Sequence, residues 1–161
     1  MSVDIDKGIL QKLKGRNLHL VVADALHLPF RERAFDLIIA IELIEHLKHP
    51  HRFVNICHNL LKSQGVLIIS TPNLIIERTL VKIVNPLYLI KQRLFRKPVA
   101  RGGPFMKHVS CLTYNEVKKL LESYFEIRFM AKQAKWVFLR PILPLIPNLL
   151  APGWLIHAIS K

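Results

Sequence analysis

The chain has 161 residues, of which 51% are hydrophobic and 22% charged, so it fits one globular domain (1–161) and is neither disordered nor low in complexity. Its formal net charge is +13, and Glu77 is the only acidic residue between His46 and Asn115, so any large partner is expected to be anionic. Two cysteines without metal-type spacing predict free thiols and a reducing, cytoplasmic location rather than a disulfide scaffold.

Strands alternate with a helix in the first half of the chain. Three short apolar runs rich in β-branched residues predict buried strands at 18–22, 35–41 and 66–70. Between the last two, apolar residues at helical spacing predict a helix over 51–62. This alternation indicates a parallel α/β sheet.

A basic and apolar segment follows the third predicted strand. Apolar and basic residues interleave at helical period over 74–97, and Asn85-Pro86 divides the stretch into two helices. We expect residues 74–112 to form a helical cap within the domain. Prolines interrupt the nearly uncharged stretch 141–160 too often for one membrane-spanning helix, although basic residues before it leave a peripheral position at an anionic membrane open.

The last third of the chain predicts one helix and two strands. Thr113 can cap a helix that runs to about Ser123, because Glu116 stands where a capping box requires it. Further strands are predicted at 125–130 and 154–160.

Five short motifs occur in a characteristic order. They are VADALHLPF at 22–30, AFD at 34–36, IELIEHL at 41–47, LLKSQG at 60–65 and LIISTPN at 67–73. This ordered set resembles the class I S-adenosylmethionine-dependent methyltransferases, in their small-molecule branch (methyltransferase domain 11-like). The resemblance implies a Rossmann-like α/β sheet of strand order 3-2-1-4-5-7-6, with strand 7 antiparallel and the helical cap between strands 5 and 6. S-adenosylmethionine would lie over the carboxyl ends of the strands.

The resemblance also implies features that this sequence does not display. In the family, strand 1 and a Gly-x-Gly loop precede the acid matched by Asp4 by about twenty residues, whereas Met1 stands three residues before it. None of the six glycines forms a Gly-x-Gly. We therefore expect an N-terminally truncated sheet without its central strand 1, with the missing part lost, omitted by a late start, or supplied by a separate chain.

The family's cofactor contacts can be carried over to named positions. Asp4 would accept hydrogen bonds from both ribose hydroxyls, and Asp24 would accept one from the adenine amino group. Ala25 and Leu26 would line the base, and Ile41 would contact the cofactor. From the residues alone, a flexible, solvated terminus is the preferred interpretation of Asp4, and a cap or turn aspartate fits Asp24 about equally well.

A cluster of acids and a histidine follows the second predicted strand. Glu42, Glu45 and His46 are spaced i, i+3 and i+4, which on a helix would place all three on one face beside the transferred methyl group. We take them as the catalytic candidates, with His46 as a metal-free base. The alternative is a helix cap, a solvated acid and a loop histidine.

The same pattern resembles two metal-dependent branches of the family. These are the ubiquinone-pathway O-methyltransferases and the enzymes that methylate the 2'-hydroxyl at the 3' end of small RNAs. A divalent cation would then be bound by Glu42, Glu45, His46 and His108. The metal-free version is favoured, because a short Glu/His pattern often arises without a metal.

The acceptor side is indicated by residues after the third predicted strand and by the cap. Thr71, Asn73 and His108 are expected to face the substrate, although Thr71 and Asn73 could equally form an ordinary turn. The resulting prediction is methyl transfer, favouring oxygen, to a small or lipophilic acceptor. The alternatives are a non-catalytic, methyltransferase-like binding subunit and an RNA 2'-O-methyltransferase. A basic nucleic-acid-binding module is disfavoured, because aromatic residues do not interleave with the basic ones.

Overall fold

The computed structural model describes residues 1–73, 109–110, 112–133, 151 and 153–161. These residues form six strands, three α-helices and one 3-10 turn. In chain order they are β1 (Ser2–Asp4), α1 (Lys7–Gln11), β2 (Leu20–Val22), β3 (Phe35–Ile41), the 3-10 turn (Ile44–His46), α2 (Pro50–Leu60), β4 (Leu61–Pro72), α3 (Tyr114–Glu122), β5 (Phe125–Lys132) and β6 (Gly153–Ser160).

The first two strands form a small parallel sheet. Ser2 lies opposite Leu20 and Asp4 opposite Val22, so both strands end at the same edge. Helix α1 makes the crossover that a parallel pair requires. Its N-terminus is capped by Asp6, whose carboxylate accepts a 2.7 Å hydrogen bond from the Gly8 N–H.

The other four strands form a second sheet of order β3-β4-β6-β5. Strands β3 and β4 are parallel, whereas β6 runs antiparallel to both β4 and β5. With the small sheet, this order corresponds to strands 3-2 and 4-5-7-6 of the expected sheet, including its antiparallel strand 7. The predicted α/β class is confirmed. Among the described residues no strand joins β1 to β3.

The pairing of β3 with β4 is regular over the carboxyl-terminal part of β3, from Leu37 to Ile41. Ile41 pairs with Ser70 at the end of β3, and the pairing is irregular between Phe35 and Leu37 at its start. Strand β4 begins earlier than the predicted 66–70, because Leu61 already pairs with Phe35. The irregular stretch includes Gln64, whose φ is 62°.

The hydrophobic core lies between one face of the larger sheet and the helices α2 and α3. The buried members of this core come from every layer; they include Ala40, Phe53, Val54, Leu67, Ile69, Val117, Leu120, Leu121, Trp154 and Ile156. Burial of a Leu, Ile, Val or Phe side chain contributes about 1.5 to 3 kcal/mol, so this face holds the sheet and helices together. On the opposite face, Leu37, Ile39 and Ile41 of β3 remain about half exposed.

Two predicted regions fall largely outside the described residues. The cap at 74–112 is described only at 109, 110 and 112, so its helices stay a prediction. Of the stretch 141–160, the last eight residues form strand β6. No helix in the described part of the chain has the length and hydropathy needed to cross a membrane.

The predicted capping box at the start of α3 is confirmed. The Thr113 hydroxyl accepts from the Glu116 N–H, and the Glu116 carboxylate accepts from the Thr113 N–H at 2.7 Å. The Thr113 hydroxyl also donates to the Glu116 carboxylate at 2.7 Å, and the two bonds that this carboxylate accepts, from the Thr113 N–H first and then from the hydroxyl, hold the pKa of Glu116 below its ordinary value. The box secures a helix that covers the core through Val117, Leu120 and Leu121.

We predict that Thr113→Ala lowers the free energy of unfolding by about 1 kcal/mol, because a helix N-terminal N–H loses its acceptor. The measurement is urea unfolding followed by circular dichroism. Thr113→Ser is the matched control and should stay within about 0.5 kcal/mol of the wild type, since it keeps the hydroxyl. Equal stability of the alanine variant and the wild type would show that the cap does not contribute.

Candidate active site

The loop after β2 contacts helix α2, which follows β3. After β2, Ala25 and Leu26 pack against the hydrophobic core, and the Nε2 atom of His27 lies 3.1 Å from Nη2 of Arg52 in the first turns of α2. Helix α2 itself starts soon after the carboxyl end of β3. The loop after β2 therefore lies beside helix α2, and both follow the carboxyl ends of strands, where open α/β sheets place their ligand sites.

Asp24 is held in a tight turn directly after β2. Its Oδ1 accepts a 2.8 Å hydrogen bond from the Leu26 N–H, and its Oδ2 lies 3.0 Å from Nδ1 of His27. These two contacts, the Leu26 bond first, keep the pKa of Asp24 below its ordinary value. This geometry matches the alternative interpretation of Asp24 as a turn aspartate, and the carboxylate, whose side chain is 43% exposed, can still accept from solvent or a ligand.

Asp4 ends β1 beside β2 and adopts a similar local geometry. Its Oδ1 accepts a 2.8 Å hydrogen bond from the Asp6 N–H, and its carbonyl accepts from the Ala23 N–H at 3.1 Å. Asp4 is partly exposed, and Ile41 at the end of β3 is 51% exposed. Both residues stand at carboxyl ends of strands, as the sequence predicted for cofactor contacts.

The helix expected to carry Glu42, Glu45 and His46 does not form. Glu42 has a φ of 51°, a left-handed conformation that is uncommon outside glycine, and only Ile44–His46 make a single 3-10 turn. The Glu42 N–H donates to both the carbonyl and the Oγ of Ser70 at 3.1 Å. The chain therefore bends at Glu42 instead of continuing into a helix, and the expected sharing of one helix face is wrong.

Glu45 is the most deeply buried acid of the candidate cluster. Its side chain is 2% exposed, and its Oε2 accepts a 3.4 Å hydrogen bond from the Thr71 hydroxyl of β4. Its Oε1 lies 4.0 Å from Nε2 of His46, whose side chain is 21% exposed. The structure thus brings Glu45, His46 and Thr71 together, with the imidazole on the solvent side.

Residues 109–110 are hydrogen-bonded to the 3-10 turn that carries Glu45. The Glu45 carbonyl accepts from the N–H groups of Val109 and Ser110 at 2.9 and 3.0 Å. The Ser110 hydroxyl donates to the carbonyl of Leu47. Three hydrogen bonds therefore fix residues 109–110 against the 3-10 turn.

The remaining predicted site residues are the substrate candidates Thr71, Asn73 and His108. Thr71 lies inside β4 and Asn73 directly follows it, and both are almost fully buried. Their contact with substrate stays a prediction. His108 lies outside the described residues. Among the residues that the structure describes, no group of three or more His, Cys, Asp or Glu side chains could hold a metal ion.

Sequence reasoning missed Ser70 and the pair His27 and Arg52. Ser70 carries a weak signal, because it is a polar residue that ends a buried apolar run and is itself fully buried. His27 stands three residues after Asp24, a spacing that allows contact within a turn. Arg52 carries no signal, since it is 25 residues further along the chain.

Cys57 has no role in this site. It is buried on α2 among core side chains, and burial raises the pKa of its thiol to about 12. The thiol is therefore protonated at neutral pH and is a poor nucleophile. Cys111 lies outside the described residues.

Comparison with known proteins gives a family match over the first part of the chain. Residues 1–69 match the model of the methyltransferase domain family. A 57-residue stretch is 39% identical to a ubiquinone biosynthesis O-methyltransferase of Glaesserella parasuis. That alignment covers 35% of this chain and 24% of the relative, so the chain matches about a quarter of the relative's length.

Solved structures resemble the whole chain at low sequence identity. A Pyrococcus horikoshii protein superposes with a TM-score of 0.62 at 18% identity, over 99% of this chain and 70% of that protein. An S-adenosylmethionine-dependent methyltransferase of Thermotoga maritima gives 0.65 at 15% identity, over 99% and 72%. The family resemblance therefore covers residues 1–69, less than half of the chain, and the fold is the Rossmann-like α/β fold of class I S-adenosylmethionine-dependent methyltransferases.

Proposed function

We propose that this chain takes part in S-adenosylmethionine-dependent methyl transfer, with an oxygen of a small or lipophilic molecule as the acceptor. The observation that carries the proposal is the position of Asp4, Asp24, Glu45 and His46 at or soon after the carboxyl ends of strands β1, β2 and β3, in a sheet order typical of the family. The family match over residues 1–69 covers this same part of the chain.

The residues present fit the adenosine half of the cofactor. A carboxylate has about four lone pairs, so Asp4 and Asp24 can each accept from a ligand beyond the backbone bonds they already accept. We assign Asp4 to the ribose hydroxyls and Asp24 to the adenine amino group. Ala25, Leu26 and Ile41 offer apolar surface at the same edge for the base.

Bound S-adenosylmethionine would supply an electrophilic methyl group on a sulfonium, so the protein's task is alignment and removal of one proton. His46 is the proposed base: its partly exposed imidazole stands at the site, where it can accept the proton of an acceptor hydroxyl. Buried Glu45, 4.0 Å from His46 Nε2, is the proposed group that orients the ring and stabilises its cationic form. Glu42 is proposed to hold the bend between β3 and this turn through Ser70.

The acceptor class is supported by two observations. The relative from Glaesserella parasuis is an O-methyltransferase by name, which favours oxygen over nitrogen. The net charge of +13 favours an anionic surrounding, such as a membrane surface that presents a lipophilic acceptor or an RNA. A cytoplasmic location and a partner chain that completes the sheet stay predictions, and a metal at Glu42, Glu45, His46 and His108 stays the less favoured alternative to the metal-free base.

We predict that the 161-residue polypeptide binds S-adenosylmethionine weakly, with a Kd of about 1 mM, or about 4 kcal/mol of binding free energy. The reason is that Asp4 and Asp24 can hold the adenosine half, whereas none of the six glycines of this sequence forms the Gly-x-Gly that approaches the methionine half. Isothermal titration calorimetry measures the constant. A micromolar Kd would contradict the expectation that this polypeptide binds the adenosine half of the cofactor but not the methionine half.

We predict that His46→Ala lowers the rate of methyl transfer by about 100-fold or more, as expected on loss of a general base. The assay follows transfer of radiolabelled methyl from excess S-adenosylmethionine to a panel of lipophilic phenols. His51→Ala is the matched control, because His51 is an exposed histidine in the first turn of α2. Full activity of His46→Ala would remove His46 from the mechanism.

The same assay separates the alternatives. A metal-free base predicts an unchanged rate in the presence of EDTA, and loss of activity that a divalent cation restores would instead support the metal site. Absence of transfer from the wild-type chain to every phenol and to RNA would favour a non-catalytic binding subunit.

A further inference from the structure

Three side chains form a continuous chain of contacts from helix α2 to the loop after β2. The Arg52 guanidinium Nη2 lies 3.1 Å from His27 Nε2, and His27 Nδ1 lies 3.0 Å from Asp24 Oδ2. The contact between Arg52 and His27 joins elements that belong to different sheets, because His27 follows the small sheet and Arg52 lies on a helix of the larger one.

The chemistry of these groups assigns the proton on the imidazole. A guanidinium has donors and no acceptor, so Arg52 must donate and His27 Nε2 must accept. The ring proton of a neutral His27 then lies on Nδ1, which donates to Asp24 Oδ2. The direction of donation is therefore Arg52 to His27 to Asp24.

This arrangement fixes both oxygens of one carboxylate. Oδ1 is set by the Leu26 N–H and Oδ2 by His27, so the plane of the Asp24 carboxylate is determined although its side chain is 43% exposed. The same contacts keep the pKa of Asp24 below its ordinary value, which favours an acceptor-only group at neutral pH.

We propose that His27 and Arg52 are positioning residues for cofactor specificity: they orient the Asp24 carboxylate so that it accepts from the amino group of an adenine ring. The inference rests on the proposed function, which assigns Asp24 to the adenine. Neither residue touches the cofactor in this proposal. Their effect is a preference for a purine that carries the 6-amino group over one that lacks it.

The test compares two probes that differ only in that amino group, adenosine and purine riboside, titrated into ¹⁵N-labelled full-length chain and followed by amide chemical shifts. The wild type should bind adenosine about tenfold more tightly, the usual effect of one well-placed hydrogen bond to a charged group. His27→Ala and Arg52→Ala should each reduce this ratio to about two or three. His51→Ala, which changes an exposed histidine beside Arg52, should leave the ratio unchanged.

His27→Asn provides the rescue. Its amide nitrogen occupies nearly the position of Nδ1 and can still donate to Asp24, so it should retain more of the preference than His27→Ala. A variant that merely loosened the fold would lower the affinity for both probes and leave their ratio unchanged. The amide spectra show directly whether each variant is folded.

A second readout needs no ligand. Nitrogen-15 chemical shifts of the wild-type imidazoles should show His27 protonated on Nδ1 at neutral pH, and predominant protonation on Nε2 would overturn the proposal. Loss of the preference in Asp24→Ala but not in His27→Ala or Arg52→Ala would also overturn it and leave the proposed function standing. A wild-type chain without any preference, unaltered by Asp24→Ala, would overturn both.

Discussion

The pairing of Ile41 with Ser70 at the end of β3 is the interaction on which the candidate site depends. It aligns the Glu42 N–H with two oxygens of Ser70, and this bond accompanies the left-handed backbone of Glu42. A left-handed conformation of a non-glycine residue costs about 1 to 2 kcal/mol, so it persists only where surrounding contacts compensate for it. The bend then directs the 3-10 turn back over the sheet, where Ile44 and Glu45 become buried.

Glu45 connects the 3-10 turn to strand β4 and to residues 109–110. Its carboxylate contacts Thr71 of β4, its carbonyl binds residues 109–110, and the next residue is the proposed base, His46. A buried acid is costly unless it is hydrogen-bonded, so the Thr71 hydroxyl contributes to keeping Glu45 inside. The segment at 109–110 follows the predicted cap, and its position is therefore linked to the proposed catalytic turn.

Local signals predicted the local structure well. The capping box of Thr113 and Glu116 involves residues three apart, and β3 matches its apolar run at both ends, because both are encoded by patterns within a few neighbouring residues. The helix expected over Glu42 and His46 failed, since the left-handed turn is imposed by pairing with β4, which a spacing of three and four residues cannot show. Contacts between the sheets could not be predicted from the sequence either. A motif identified Asp24, but its connection to Arg52 through His27 is seen only in the structure.

In the proposed function, S-adenosylmethionine lies over the carboxyl ends of the strands. Mapping of amide chemical-shift changes during titration with S-adenosylmethionine tests it most directly, because each strand end reports separately. We expect the largest changes in amide chemical shift at the residues that follow β1, β2 and β3, which are Ile5, Ala25, Leu26 and Leu43. Changes concentrated at the opposite edge, around Phe35 and Gly65, would contradict it.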